Sequence, residues 1–316
     1  MKRLFVLGSK DIEMDAVESL LRTLGEEYIY AKKNNKRVSP STAYTDGDID
    51  EIDSSYDTVI FVECNMNLKN KDLVIHKIDH HFIGDFGYGK SSKDYWNASS
   101  LGQVWNMLKP INEIPPKKYR YIAAADHCLR KAYAGECVNI NKNFLLDRRI
   151  RIKAAFKGKT QDEIKNNISY ALKIVEKIKE LNINIMNVGG EKLIDLREGI
   201  LICNKCKDIG IIKDSKPIYL KITDEECVHE ITKWTPSIPE IIEASCISEV
   251  AVLEIVNERD TQRKKVLLMS SDGRAVNIFL NSMAAEMDLE EVYGDSARGF
   301  AGGYKKHNKI GGKIEV

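Results

Sequence analysis

Four short stretches of the chain end apolar runs with groups that can hold a cation or move a proton. SKDIEMD follows the opening run RLFVL and places Asp11, Glu13 and Asp15 at every second position. Glu63 closes TVIFVE, Asp79, His80 and His81 close VIHKIDHH, and Asp126 follows the small apolar residues 123–125 in YIAAADHCL. Hard divalent cations take several oxygen ligands, and Mn²⁺ accepts imidazole as well, so a carboxylate-rich pocket with one or two histidines suits a pair of such ions. Two ions about 3.5 to 4 Å apart can bind a water as nucleophile and clamp a phosphoryl oxygen. Such a set points to phosphate ester chemistry.

Each piece also has an ordinary explanation. Acidic residues just after Gly8 and Ser9 serve as helix caps and as first-turn charges that complement the helix dipole. Adjacent histidines can lie on a surface, Glu63 can be a solvated strand end, and Asp126 can be the partner of a nearby lysine or arginine. Against these readings stands a coincidence: all four groups end apolar segments that should point the same way. Cys64, His127 and Cys128, beside the candidate ligands, are read as packing or supporting contacts. Cys203 and Cys206 in CNKC have metal-ligand spacing, but a CxxC without a second one reads as free thiols.

The elements that must position these residues can be read from periodicity. Arg3 to Leu7 is a short apolar run stopped by Gly8 and Ser9. From Ile12 to Leu24 the apolar residues Met14, Val17, Leu20, Leu21 and Leu24 fall on one helical face. YIYA, TVIFVEC and LVIHKI read as further strands. Near-continuous apolar strands alternating with helices predict a parallel sheet covered by helices on both faces, with VIHKI buried inside it. In such a sheet, ligands gather beyond the carboxyl ends of the strands. Residues 98–108 and 118–134 read as helices separated by Pro115-Pro116, and 160–181 as a long connector helix with a stripe through Ile164, Ile168, Leu172, Val175 and Ile178. Beyond it the texture changes to short strands (KLIDL, GILIC, IGII, PIYLKI, VAVLEIV, KKVLLM), a helix near 276–287 and a glycine-rich ending. The expected organisation is an α/β domain over 1–158, a connector helix over 159–185 and a smaller α/β domain over 186–316.

The bulk composition narrows the function classes. Across 316 residues, 48 basic and 47 acidic side chains nearly cancel, so no nucleic acid or anionic membrane is demanded by charge alone. No apolar run approaches the roughly 20 residues needed to cross a bilayer, and the N-terminal run reads as a first strand rather than a signal peptide. Seven scattered cysteines fit free thiols in a reducing cytosol, and the expected location is cytoplasmic. The basic stretch 32–41 reads as a solvated loop or a cleft wall. GDFGYGKSSKDYW at 84–96, directly after the histidines, is the better placed of the two to line an anionic substrate site.

IDHH at 78–81 resembles the signature of the DHH phosphoesterase superfamily, which includes RecJ-type exonucleases, nanoRNA and cyclic dinucleotide phosphodiesterases and family II pyrophosphatases. The other motifs fall in that family's order. Asp11-Ile12-Glu13-Met14-Asp15-Ala16 with Ser19 is similar to its first motif, VIFVE with Glu63 to its second, and AAAD with Asp126 to its fourth; NASSLGQVW at 97–105 is similar to the helix start that follows DHH. The second half resembles the DHHA1 substrate domain: SSDGRAVNIFL carries Ser270 and Arg274, and GFAGGYKKHNKIGG is similar to its glycine-rich loop, with Gly302 and Gly303 and with either Tyr304 or His307 at the histidine position.

The resemblance implies a two-domain α/β fold with a cleft between the domains, and two Mn²⁺ ions, with Mg²⁺ as the alternative. Glu13, Glu63, Asp126 and Asp11 would hold one ion; Asp15, Glu63, His80 and Asp126 the other. Asp79 would orient His80, and His81 would donate to the substrate phosphate. Ser270, Arg274, Gly302, Gly303 and His307 would bind substrate. The partners implied are a small phosphorylated or nucleotide substrate or short single-stranded nucleic acid, no membrane, and a homodimer as one assembly the family allows. Two departures stand out: Glu13 and Glu63 occupy positions where the family has Asp. The extra methylene moves the oxygens by about 1.5 Å, while metal-ligand distances tolerate only about 0.2 Å, so the backbone must compensate. Ser9 stands where the pyrophosphatase branch has its first histidine. The expected activity is a divalent-metal-dependent phosphoesterase; the alternative is a catalytically degenerate module that binds a nucleotide or phosphorylated ligand as a sensor.

Overall fold

A computed structural model describes residues 2–40, 42–44, 52–53, 55–66, 68, 73–109, 113–203, 208–213, 216–220, 231–235, 238–257, 264–270 and 273–306. The protein is mixed α/β and divides into two compact units, Met1–Asn166 with Ala297–Gly299, and Asn167–Ser296 with Phe300–Val316. Among the described residues no helix is long and apolar enough to cross a membrane.

The first unit opens with β1 (Arg3–Leu7), α1 (Ile12–Leu24), β2 (Glu27–Tyr30) and a short hairpin of β3 (Lys32–Lys33) and β4 (Lys36–Arg37). It continues with β5 (Thr58–Val62), β6 (Val74–Ile78), α2 (Tyr95–Ala98), α3 (Ser100–Leu108), α4 (Lys117–Tyr133) and α5 (Lys142–Lys157). Four strands form a parallel sheet in the order β2-β1-β5-β6. Leu7 pairs with Tyr30 and Val62, and Val62 with Ile78, so all four strands end in one row. Chain order reverses between β1 and β5, and the crevice beyond the strand ends at such a switch point is where parallel sheets gather ligands.

Local sequence explains α1 in full. Asp11 accepts a hydrogen bond from the Met14 amide as N-cap, Gly25 closes the helix at φ 70°, and Met14, Val17, Leu20 and Leu21 are buried. These side chains pack with Phe5, Leu7, Ile60, Val62 and Ile78 from one sheet face and with Leu101, Val104 and Trp105 from α3. Each fully buried aliphatic group contributes about 1.5 to 3 kcal/mol, so this layer fixes where the strand ends lie relative to α1.

Two expectations fail in this unit. The opposite sheet face, through Leu4, Val6, Val59 and Phe61, packs against Ala31, Val38, Ala43, Ile52 and Cys64, so among the described residues irregular segments rather than helices cover it. β6 is an edge strand: Val74 is 54% and Ile75 52% exposed, and only Ile78 is buried. Its apolar run looked buried because composition does not record which strand lies at the rim.

Helix α6 (Gln161–Leu181) crosses the division at 166/167, and its residues Ala171, Ile174, Val175 and Ile178 belong to a core of the second unit. The change of texture near 185 marks where that unit's strands begin. They are β7 (Ile185–Val188), β8 (Glu191–Leu196), β9 (Ile200–Cys203), β10 (Ile209–Lys213), β11 (Lys216–Leu220) and β12 (Ile231–Thr235), followed by α7 (Ile241–Ile247), β13 (Ala251–Asn257) and β14 (Lys264–Met269). Next, α8 (Arg274–Ile278) runs through a π turn at Phe279–Met283 into α9 (Ala284–Glu286), and β15 (Leu289–Asp295) and β16 (Phe300–Lys305) follow. One mixed sheet has the order β15-β16-β14-β13-β8-β7, and an antiparallel sheet has the order β11-β10-β9-β12.

The glycine-rich segment expected as a phosphate-cradling loop is strand β16. Gly302 pairs with Leu267 and Tyr293, and Gly303 with Val266, so both sit between two neighbouring strands. A Cβ on Gly302 would lie 2.6 Å from the Tyr293 hydroxyl and 3.1 Å from the Val266 carbonyl. Close packing accounts for this glycine. His307 and Cys206 lie outside the described residues.

Candidate metal centre

Four side chains from four separate segments converge at the carboxyl ends of the parallel strands. Glu13 comes from the first turn of α1, Glu63 follows β5, His80 follows β6 and Asp126 lies in α4; one ligand atom from each falls within 4.8 Å of all the others. His80 Nε2 lies 3.1 Å from Asp126 Oδ2, 3.4 Å from Glu63 Oε1 and 4.0 Å from Glu13 Oε2. Glu13, Glu63 and His80 are buried, whereas the Asp126 side chain is 29% exposed and gives the cluster its opening.

The backbone is shaped around this point. Glu63 leaves β5 at φ 51°, a left-handed conformation that costs a non-glycine residue about 1 kcal/mol or more and tends to occur at functional sites. Its amide donates to the Ile78 carbonyl at 3.0 Å. A Cβ on Gly8 would lie 2.2 Å from the Glu63 carbonyl, so only glycine lets the end of β1 approach this turn. Glu13 is tied through Oε1 to the Leu101 amide of α3 at 3.1 Å, which leaves Oε2 facing the cluster.

A short relay sets the His80 ring. His127 Nε2 is 3.0 Å from the Lys90 carbonyl, which can only accept, so Nε2 carries the His127 proton and Nδ1 is an acceptor. His80 Nδ1, 3.3 Å away, donates to it and turns His80 Nε2 towards the carboxylates. Asp79, expected to orient His80, takes its imidazole partner from His81 instead: Asp79 Oδ1 lies 2.8 Å from His81 Nδ1 and accepts from the His80 and His81 amides. The Tyr44 hydroxyl reaches both Asp79 Oδ1, at 3.3 Å, and His81 Nδ1, at 3.2 Å.

Helix α4 breaks just past Asp126. Cys128 has φ −152° and ψ 55°, so the carbonyls before it lose their helical partners. Arg298, in the tripeptide that belongs to this unit, supplies replacements: its Nε donates to the His127 carbonyl at 2.8 Å and its Nη2 to the Asp126 carbonyl at 3.0 Å.

The electrostatics describe a site with excess negative charge. Burial and the Arg298 charge lower His80, but hydrogen bonds to Asp126 and Glu63 outweigh them and raise it to about 9. Burial raises Asp126 and Glu63, yet the His80 hydrogen bond brings both below the usual carboxylate range. One imidazolium cannot satisfy every carboxylate. Burial, with Glu63 and Asp126 close by, pushes Asp11 and Glu13 well up, so both hold protons readily.

Glu13 Oε2, Glu63 Oε1, His80 Nε2 and Asp126 Oδ2 are buried and face one another, and beyond these contacts within the cluster none has a hydrogen-bond partner among the described residues. Buried polar atoms are seldom left unsatisfied, and three carboxylate oxygens with one imidazole nitrogen suit a divalent cation. A second grouping, Glu63, His80 and His81, shares two of these residues. The donor set fits a cation.

Asp15 does not join the cluster. It is exposed, and the helical advance of about 100° per residue carries it to the far side of α1 from Glu13. Asp11 stands near the cluster but spends Oδ1 on capping α1. In the second unit, the Ser270 hydroxyl donates to Glu191 Oε2 at 2.6 Å and accepts from the Gly273 amide at 2.9 Å, so it serves the turn before α8. Arg274 lines a cavity of about 400 Å³ in that unit, together with Glu191 and Lys192.

Sequence reasoning missed Tyr44 and Arg298. Neither carries a local signal: each lies in a segment whose pattern says nothing of a histidine or a kink elsewhere in the chain. Compared with models of protein families, with curated proteins and with solved structures, the chain finds no match in any of the three.

Proposed function

We propose that the first unit is a divalent-cation-dependent phosphoesterase acting on a small nucleotide or a short oligonucleotide. The observation that carries this reading is the meeting of four buried ligand atoms from Glu13, Glu63, His80 and Asp126, which have no polar partner outside their own cluster among the described residues. The resemblance of IDHH, VIFVE and AAAD to motifs of the DHH superfamily, in the same order along the chain, supports it. Three oxygens and one imidazole can hold Mn²⁺, the ion that the family resemblance implies, with Mg²⁺ as the alternative.

A bound cation would supply a Lewis acid for a phosphoryl oxygen and ease ionisation of a water. The chain's own groups supply orientation and a proton. Asp79 and Tyr44 hold His81 by Nδ1, which leaves Nε2 to donate a proton at the phosphoryl group. Burial would raise Asp79, but the His81 hydrogen bond and the Lys77 charge keep it low, so it stays a carboxylate that holds the His81 ring in place. His80 is held as a ligand by His127 and is not free for proton transfer.

One observation favours a second reading, a ligand-binding module without turnover. With Asp15 turned to solvent, the set expected for a second ion is not gathered. Both readings require cation binding, so turnover separates them. The EDTA-treated full chain is titrated with Mn²⁺, dialysed and analysed for metal, and hydrolysis of bis-p-nitrophenyl phosphate is followed in parallel. The phosphoesterase reading expects retained Mn²⁺ and hydrolysis, both lost in His80→Ala and Asp126→Ala. Retained metal without hydrolysis selects the second reading. A chain that keeps no Mn²⁺ in excess, or variants that hydrolyse as well as the parent, overturns the proposal.

A further inference from the structure

Beside the carboxylate cluster the first unit holds a cavity of about 200 Å³ whose walls differ in character. Glu13 and Asp126 lie on one side, and Tyr121 and Ile122 of α4 continue the lining as an apolar surface. Helix α5 provides the remainder: Arg148 and Lys153 bring charge, Ile152 and Phe156 bring apolar area. Arg148 Nε is buried without a hydrogen-bond partner among the described residues. Burial and the neighbouring Arg151 make the charged form of Arg148 less favourable than in water, a cost an arriving anion would offset.

We infer that this cavity is the subsite for the organic part of a phosphate ester, a flat apolar ring of nucleobase size held between α4 and α5, with its phosphate reaching Arg148 and the carboxylate cluster. The inference rests on the phosphoester reading above and deepens it by placing the ring of the ester in the cavity between α4 and α5. Size supports one ring system: pockets for drug-sized ligands run from about 300 to 1,000 Å³, and this one is smaller. Chemistry supports a ring with a phosphate attached, since the apolar lining gains nothing from pyrophosphate and a neutral ring brings no counter-charge to the guanidinium. Phe156 is 64% exposed at the edge of the cavity, where an aromatic face is available for stacking.

The test compares binding of AMP, ribose 5-phosphate and inorganic phosphate to the full chain with Mn²⁺, by titration calorimetry, and measures retained Mn²⁺ on the same samples. AMP is expected to bind about tenfold more tightly than ribose 5-phosphate, the scale on which base stacking discriminates. Phe156→Ala, which leaves an exposed position smaller, and Ile152→Trp, which fills the cavity, should each bring that ratio towards one. Arg148→Met should weaken all three ligands together. A ratio near one in the parent, or a ratio unchanged in both pocket variants, overturns the inference even when Mn²⁺ is fully retained. A clear AMP preference in a chain that retains no Mn²⁺ upholds the pocket and removes the hydrolase reading.

Discussion

The Nδ1 atoms of His80 and His127 lie 3.3 Å apart, and this pair decides which nitrogen of His80 faces the carboxylates. Because the Lys90 carbonyl fixes the His127 proton on Nε2, the direction of the His80 hydrogen bond follows. His127→Phe removes the acceptor while keeping a ring of similar size. Mn²⁺ affinity, measured by equilibrium dialysis, should fall about 10- to 100-fold, the usual cost of losing a group that orients a ligand. His127→Gln, which can still accept at that position, should recover part of it. Equal affinity in all three chains would show that His80 needs no orientation.

The same imidazole has a pH signature. Burial, with Arg298 and His80, lowers His127 to about 3 from an ordinary 6.5. Below pH 6.5 the unfolded chain takes up a proton that the folded chain refuses, so stability present above 6.5 is lost as pH falls towards 3. His80, raised to about 9, acts in the opposite direction and is common to parent and variant. Between pH 7 and pH 5 the EDTA-treated parent should therefore lose about 2 kcal/mol more than His127→Gln in urea unfolding. Parallel pH profiles would mean that His127 titrates normally.

Glu13 illustrates a site that is costly when it holds no cation. Its carboxyl is pushed up by burial and by Asp126 and Glu63, while Leu101 needs only a neutral acceptor from it. Glu13→Gln should raise the stability of the EDTA-treated chain at pH 8 by about 1 kcal/mol, as expected for relief of strain at a functional site. Added Mn²⁺ should then raise the thermal midpoint less than the proposed function expects it to in the parent. A destabilised variant would show that the buried charge is already compensated.

Tyr44→Phe removes one hydroxyl from Asp79 and His81 and leaves the ring that packs against Phe82. Retained Mn²⁺ should be unchanged, since the hydroxyl touches none of Glu13, Glu63, His80 or Asp126. The kcat for bis-p-nitrophenyl phosphate should fall about tenfold or more, with KM little altered. A loss of metal without a change in kcat would place Tyr44 elsewhere in the chemistry.

Much of the first unit was legible because its signals are local. Asp11 and Gly25 bracket α1 and a single apolar stripe runs between them; past their first residues, Arg3 and Thr58, β1 and β5 are apolar because both of their faces are covered. From strand ends in one row, the meeting of Glu63 and His80 follows, with Glu13 close by in the first turn of α1, whereas Asp126 arrives from within α4, which the strands do not dictate. Other features depend on tertiary facts. The sequence of α5 has no clean stripe, since only Leu145, Ile150 and Ala154 are buried, although its Asn141 cap and the Gly158 ending at φ 62° were available as punctuation. Asp15 was grouped with Glu13 by an every-second-residue pattern that suits a strand and splits across a helix. Exposure of β6 and pairing of β16 depend on which strands stand beside them, and no window of sequence records that.

Arg298 closes the broken turn after Asp126 from 171 residues away along the chain, measured at His127. During synthesis the segment that presents Asp126 therefore emerges long before the guanidinium that steadies it. Bringing together such distant positions is a slow step, so cation affinity should mature only at the end of folding, after the strands around the site are already paired. A nascent chain released before residue 298 would carry every candidate ligand in its sequence and still lack the finished centre.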